Sequence, residues 1–336
     1  MSPLPNHAKK KKKRVQAAVI GGGDAFRLHA LGYRKCTSMR LRGVFSPRHV
    51  PEARELGIVS YPSFEAVLSD PEVDAIDITT PSSCHAEMAL EAMRRGKHVL
   101  VEKPVDVDPV KARQILDYSH ESGLVAAYVS QFRFSSGIEQ MKELLEGRVL
   151  GDLACVNATL FINRDEAYYL KSPWRKDISR SGGGVLLMNG IHLIDTLIYL
   201  IGIPKVVSSK LVCSLDGGHG EIERLANVVL EFSPAVVANI HVTGFADRNY
   251  PTTFDFVGTR GRATLSEYNI IKLTLQSGEV VKRRIGKSYP ATFAAQLDDF
   301  GNAIRTGRRL RTPIEDGIDS LNIVLEAYRL GGSKHV

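Results

Sequence analysis

The chain has 336 residues, 43% of them hydrophobic and 24% charged, the balance of a soluble globular protein with room for two domains and their cores. Its net charge of +7 is local, because Lys9 to Lys13 and Arg14 supply most of it and the remainder is close to neutral. The body carries no second basic stripe with interleaved aromatics. Nucleic acid is therefore not an expected partner, and residues 1–14 are read as a disordered, solvated tail rather than a nuclear signal or nucleic-acid arm.

Cys36, Cys84, Cys155 and Cys213 are scattered, with no Cys-x-x-Cys and no His pair at metal spacing. That argues for a reducing compartment and against a metal site. No secretory signal is visible, and the longest apolar region, Val185 to Ile203, is interrupted by Asn189, His192 and Asp195. It reads as a buried helix with a polar stripe rather than a membrane span, so a cytoplasmic protein without a membrane partner is expected.

In chain order, residues 16–21 form a short apolar strand that runs into Gly21-Gly22-Gly23, followed by an amphipathic helix from Ala25. Strand, glycine turn and helix is the setting in which Gly-x-Gly means dinucleotide binding, because the backbone there can approach a pyrophosphate at a helix N-terminus. Gly21, Gly23, Asp24, Ala25 and Phe26 are the candidate seat, although Phe26 stands where the third glycine of the fingerprint would fall. The second strand, Met39 to Phe45, ends in Ser46-Pro47-Arg48 with no carboxylate before Glu52. An acid there would hold the ribose hydroxyls of NAD. A serine and an arginine suit a 2′-phosphate, so NADP(H) is preferred and NAD(H) remains possible.

Alternation continues with a helix at Pro51–Leu56, a strand near Ile58–Tyr61, a helix at Ser63–Leu68 and a strand at Val73–Ile78. Thr80-Pro81 at that strand's end and His85 at the start of the next helix, Ser83–Arg95, are candidate liners of the cofactor crevice. His98-Val99-Leu100-Val101 then reads as a strand buried on both faces, and Glu102-Lys103-Pro104 stands where it stops. Ligands in open parallel sheets sit outside the carboxyl ends of the strands. Lys103 is thus the first candidate for chemistry, the plain alternative being a solvated lysine before a turn proline. A helix at Pro109–Ser122 and a strand at Leu124–Val129 complete a doubly wound parallel sheet over residues 15–131.

After Gln131-Phe132-Arg133-Phe134 the pattern changes. A helix at Gly137–Glu146 leads into alternating segments at Leu153–Ile162, Val206–Leu215, Ala226–Phe232, Val236–Val242, Thr253–Val257, Ala263–Ser266 and Ile271–Gln276. Helices at Ala291–Arg305 and Asp316–Leu330 close the chain. Residues 132–336 therefore read as a second α/β domain with a largely antiparallel open sheet. Within it, Gly182-Gly183-Gly184 lets backbone pass close to a ligand, and the following helix carries His192 and Asp195 one turn apart, where Asp195 either fixes the imidazole tautomer or serves the core. Trp174-Arg175 is either a clamp over a ring-shaped ligand or a packed corner.

These motifs, in this order and spacing, resemble the Gfo/Idh/MocA oxidoreductase family. The likeness runs through Gly21-x-Gly23, Asp70-Pro71-Glu72-Val73-Asp74, Thr80-Pro81-x-x-x-His85, Gly96 to Pro104, Arg133-Phe134, Trp174-Arg175, and Gly182 to His192 with Asp195. The resemblance implies an N-terminal Rossmann domain and a C-terminal domain that binds substrate and packs subunits, as a homodimer or homotetramer. It implies hydride transfer between a nicotinamide and a sugar, nucleotide sugar or polyol, with Lys103 and His192 catalytic. Glu102, Gln131, Trp174 and Arg175 would then join the cofactor site, and Arg133 and Asn189 the substrate site. Glu102 either positions Lys103 or faces away. One departure is Met188, where inositol-dehydrogenase-like members carry an aspartate four residues before the histidine. The other reading of the same fold is a non-catalytic dinucleotide sensor.

Overall fold

The computed structural model describes residues 14–216, 222–233, 236–286 and 288–333. The expected basic tail lies outside the described residues except for Arg14. That residue is not free in solvent: its guanidinium donates to the carbonyl oxygens of Cys36 and Met39 and so fastens the chain just before the first strand.

Strands β1 (Val15–Ile20), β2 (Met39–Phe45), β3 (Val59–Ser60), β4 (Ala75–Ile78), β5 (His98–Val101) and β6 (Ala126–Tyr128) form one sheet in the order β3-β2-β1-β4-β5-β6. All its pairs are parallel. Runs such as Ala75-Ile76-Asp77-Ile78 are buried throughout, because crossover helices cover both faces. The helices start where the sequence supplies caps: Ser63 accepts from the Ala66 amide, and Asp108 caps a helix with Pro109 at its first position. Strand order reverses between β1 and β4. The turns after β1, β4 and β5 therefore open together into one crevice, which gathers Gly21–Gly23, Thr79–Pro81 and Glu102–Pro104.

The second sheet has eight strands, β7 (Leu153–Phe161), β8 (Lys205–Val212), β9 (Leu225–Ser233), β10 (Val236–Thr243), β11 (Thr253–Gly258), β12 (Gly261–Ser266), β13 (Ile270–Leu275) and β14 (Val280–Arg284). Their order is β14-β13-β12-β11-β7-β10-β9-β8, antiparallel except where β7 pairs with β10. The last of them, β14, is not foreseen in the sequence because its Val-Val-Lys-Arg-Arg is too charged to alternate clearly. One face of this sheet packs on the helix Ile191–Ile201 and the other carries exposed side chains.

The chain does not stay with the second sheet. Helix Tyr289–Thr306 crosses back, and its Phe293, Leu297 and Phe300 share a core with Phe26, Ala30, Tyr33 and Met39 of the first domain. Helix Ile314–Leu330 lies against the helix Pro109–Ser122, the helix Ile191–Ile201 and β8. The 178–201 stretch is long and apolar enough to cross a membrane, with mean hydropathy 1.7 over its most apolar window. Two thirds of that window (67%) is buried inside the fold, with Leu187, Leu193, Ile194 and Leu197 fully enclosed.

Candidate active site

The turn after β1 is built for close approach. Gly21 has φ +115°, and a Cβ there would stand 2.7 Å from the Thr79 carbonyl oxygen. Gly23 is the N-cap of the helix Asp24–Tyr33, no side chain caps that helix, and a Cβ on Gly23 would meet nothing within 4 Å. The amides of its first turn are thus left for an anion, as a dinucleotide site requires. Phe26 has only its backbone to offer such a seat. Its ring is fully buried in the core, which is why aromatic bulk is accommodated where the fingerprint has glycine.

At the far end of the crevice, Gln131 is buried, donates through Nε2 to the Tyr289 hydroxyl (2.8 Å), and keeps an enclosed Oε1 with no partner. An orphaned acceptor here and an open helix N-terminus at the other end fit a dinucleotide stretched along the strand ends. At the end of β2, Arg48 is exposed and has no carboxylate partner among the described residues, and the Ser46 hydroxyl accepts from the Arg48 amide. Glu52 commits a carboxylate oxygen to Arg27 at 2.7 Å.

Lys103 stands just beyond β5, its peptide bond to Pro104 is cis, and its Nζ donates to the Met188 carbonyl oxygen at 2.5 Å. That oxygen lies in a π turn, Leu186–Gly190, which opens the helix Ile191–Ile201. A π turn displaces the regular ladder, and here the displaced carbonyl receives the amine. Burial lowers the proton affinity of Lys103 below the ordinary lysine value, Arg175 and Arg164 push the same way, and Glu102 opposes them. His192, one helical turn on from Met188, is pushed down to about 3 by burial and by Lys103, so its imidazole is neutral. Its ring meets Phe132 edge-on at 5.1 Å, and Phe132 stacks on Tyr268 at 3.9 Å. The two catalytic candidates are thus brought together, with Met188 and Asn189 beside them.

A buried chain of charges lies behind Lys103. Glu102 spends one oxygen on the Lys103 backbone amide (2.9 Å) and the other on His29 Nε2 (3.1 Å). His29 Nδ1 lies 2.8 Å from Asp77, which also accepts from the Tyr33 hydroxyl. Burial disfavours the His29 charge, but the two carboxylates outweigh it and push the imidazole up to about 10. Burial works against the Glu102 charge as well, and the His29 bond overcomes it to hold that carboxyl at about 2. Glu102 thus faces inward with both oxygens hydrogen-bonded, one to the Lys103 backbone and one to His29. His29 is not legible in the sequence, since a lone histidine in an amphipathic helix carries no signal for partners 48 and 73 residues away.

Several candidates turn out to hold structure. His85 is buried, with Nδ1 2.8 Å from the Pro104 carbonyl oxygen and Nε2 2.9 Å from that of Thr80, so it braces the two corners of the crevice rather than facing it. Arg133, expected at the substrate, is fully buried and pairs with Asp195 and Asp316. Asp195 is equally spent: it accepts from Tyr128, Ser130 and Arg133 and makes no hydrogen bond to His192. The run Gly182–Gly184 is not a ligand seat either. A Cβ on Gly184 would strike the Glu223 carbonyl oxygen, and the buried Glu223 side chain accepts from the Gly184 and Leu186 amides and from Tyr328. Arg175 approaches Asp24, at the start of the helix after the glycine turn, at 3.9 Å, and its guanidinium lies 5.8 Å from the centroid of the Trp174 ring.

An open dinucleotide cradle with an amine of lowered proton affinity at the strand end beyond it defines a nicotinamide-dependent oxidoreductase. The chain belongs to the Gfo/Idh/MocA oxidoreductases: residues 15–130 match the oxidoreductase family with NAD-binding Rossmann fold, and residues 138–264 match the Gfo/Idh/MocA C-terminal domain. Among its relatives is the 1,5-anhydro-D-fructose reductase of Ensifer adhaerens, 27% identical over 321 residues, covering 90% of this chain and 92% of that protein. Levoglucosan dehydrogenase in complex with NADH and levoglucosan has a similar fold, with TM-score 0.86 and 22% identity over 96% of this chain and 98% of that one. So does the WlbA dehydrogenase of Bordetella pertussis in complex with NADH and UDP-GlcNAcA, with TM-score 0.84 and 20% identity over 96% of each chain.

Proposed function

We propose that the protein moves hydride between a nicotinamide cofactor and a hydroxyl or ketone carbon of a sugar, nucleotide sugar or polyol, with Lys103 as general acid and base. The observation that carries this reading is the Lys103 amine, lowered in proton affinity and fixed on the Met188 carbonyl beside a neutral His192. Bound in the crevice, the cofactor supplies or accepts the hydride. The residues supply the rest. In oxidation the neutral Lys103 amine takes the hydroxyl proton; in reduction its ammonium returns a proton to the carbonyl oxygen as negative charge grows there. His192, which stays uncharged, orients the substrate oxygen by a hydrogen bond and takes no charge in the cycle. Asn189 offers a further amide to substrate hydroxyls.

NADP(H) is the preferred cofactor in this reading, supported by the exposed, unpaired Arg48, by Ser46, and by the lack of a carboxylate at the end of β2. The outer face of the second sheet, where Phe161, Val207 and Val237 are exposed, is the surface for a second copy of the chain in a dimer or tetramer. A hydride-transfer screen with NAD(H) and NADP(H) over sugars, nucleotide sugars and polyols tests the activity, read by nicotinamide absorbance. Turnover of at least one class is expected. Tight dinucleotide binding without turnover of any of them would overturn it in favour of a sensor.

A further inference from the structure

The geometry points to a substrate that carries a carboxylate or phosphate, received by the guanidinium of Arg164 together with Arg175. This deepens the proposed function and rests on it. Among the described residues the carboxylates around the catalytic residues are already committed: Glu102 to His29 and the Lys103 amide, Asp195 to Arg133, and Glu223 to the Gly184 and Leu186 amides. The position four residues before His192 is the uncharged Met188. The cations are in the opposite state. Arg164 and Arg175 each lie 4.4 Å from the centroid of the Tyr168 ring, and the Nε of each is enclosed without a partner. Arg164 has no carboxylate at ion-pair distance among the described residues. Arg175 has only the 3.9 Å approach to Asp24, whose carboxylate Lys171 already holds at 2.8 Å.

Two guanidinium groups on one ring, both close enough to Lys103 to disfavour its charge, repel one another. Contact with the aromatic face offsets part of that repulsion. An oxyanion would turn the rest into attraction, and a guanidinium can grip it through two parallel hydrogen bonds. Arg164 is also set in place beforehand. Just beyond β7, its amide donates to the Gly244 carbonyl (3.0 Å), its carbonyl accepts from Arg224 (2.8 Å), and its own Nη1 donates to the Asn163 carbonyl (2.8 Å). Little side-chain freedom remains to be lost on binding.

The oxyanion has two sources, the substrate and the cofactor's pyrophosphate, and binding separates them without requiring turnover. Trp174, the only tryptophan, adjoins Arg175 and reports by fluorescence. The cofactor-loaded full-length protein is titrated with D-glucuronate, D-glucose 6-phosphate and D-glucose, and the cofactor itself is titrated separately. One of the two charged sugars is expected to bind at least about tenfold more tightly than glucose, and Arg164→Gln to cancel that advantage while leaving cofactor affinity within about twofold. Arg164→Lys should recover part of it. Equal binding of charged and neutral sugars, or an advantage that survives Arg164→Gln, would overturn the proposal. A tenfold loss of cofactor affinity in Arg164→Gln would do so too, by assigning the anion to the pyrophosphate. Charge preference in binding with no hydride transfer from any sugar would instead count against the proposed activity alone.

Discussion

Replacing His29 with glutamine tests the buried charge chain behind Lys103. His29 is fully enclosed and lies 2.8 Å from Asp77 and 3.1 Å from Glu102, themselves out of solvent or nearly so. Removing the imidazolium strands the buried Asp77 and leaves Glu102 with Lys103 as its remaining positive neighbour, and breaking a buried pair in this way costs about 3–5 kcal/mol. Against a total stability of about 5–15 kcal/mol that is a large share. At about 2–4 °C per kcal/mol the midpoint of thermal unfolding should fall by on the order of 10 °C. The pH dependence is more diagnostic. The His29 proton affinity is raised from 6.5 to about 10 on folding, so its contribution is complete below pH 6.5 and is lost as pH rises towards 10. Glu102 is lowered from 4.5 to about 2, so its contribution is complete above pH 4.5 and is lost as pH falls towards 2. Unfolding of wild type and variant should therefore differ most between pH 5 and 6.5 and converge at alkaline pH. Adding Asp77→Asn to the variant should restore part of the loss, because one stranded carboxylate disappears. A gap below about 0.5 kcal/mol, the level of an ordinary surface change, or one that stays constant up to pH 10, would refute the charge chain.

Arg133→Met should also cost about 3–5 kcal/mol in urea unfolding, because it strands the buried Asp195. If Arg133 is purely structural, the variant's cofactor affinity measured below its unfolding transition should equal that of wild type. Arg48→Leu should shift the ratio of NADPH to NADH affinity towards NADH by about tenfold, since one charge-assisted contact to a phosphate is lost. Fluorescence titration with both cofactors reads that ratio, and an unchanged ratio would remove Arg48 from cofactor choice.

The parts of this molecule legible in the sequence are those set by local chemistry. β1 with its glycine turn, the β5 strand that delivers Lys103, and the alternation of strands and helices follow from short-range pattern and fix the first sheet. What the residues could not tell is which side chains meet across elements. The spacing of His192 and Asp195 suggested a pair. Yet Asp195 turns the other way, to Arg133, Tyr128 and Ser130 some 60 residues earlier in the chain, because a buried guanidinium demands carboxylates more strongly than a neutral imidazole does. The glycine run looked like a ligand seat and instead presses on Glu223, a residue with no local cue. Helix Tyr289–Thr306 gave a clear helical pattern and no hint that its apolar face belongs to the first domain. The π turn that presents Met188 to Lys103 is likewise invisible in an apolar run that continues evenly into the helix.

In the proposed reaction one amine, that of Lys103, moves the proton that accompanies hydride transfer. That role is tested most directly by single-turnover hydride transfer, followed across pH in wild type and Lys103→Met with cofactor saturating. Oxidation by wild type should accelerate with pH and level off below the ordinary lysine value of 10.5, in a single step because His192 stays uncharged. Reduction should show the opposite slope. In Lys103→Met both directions should slow by about 10²–10⁴ and lose this pH dependence while cofactor binding persists. A variant that keeps the wild-type rate and pH profile would contradict the account.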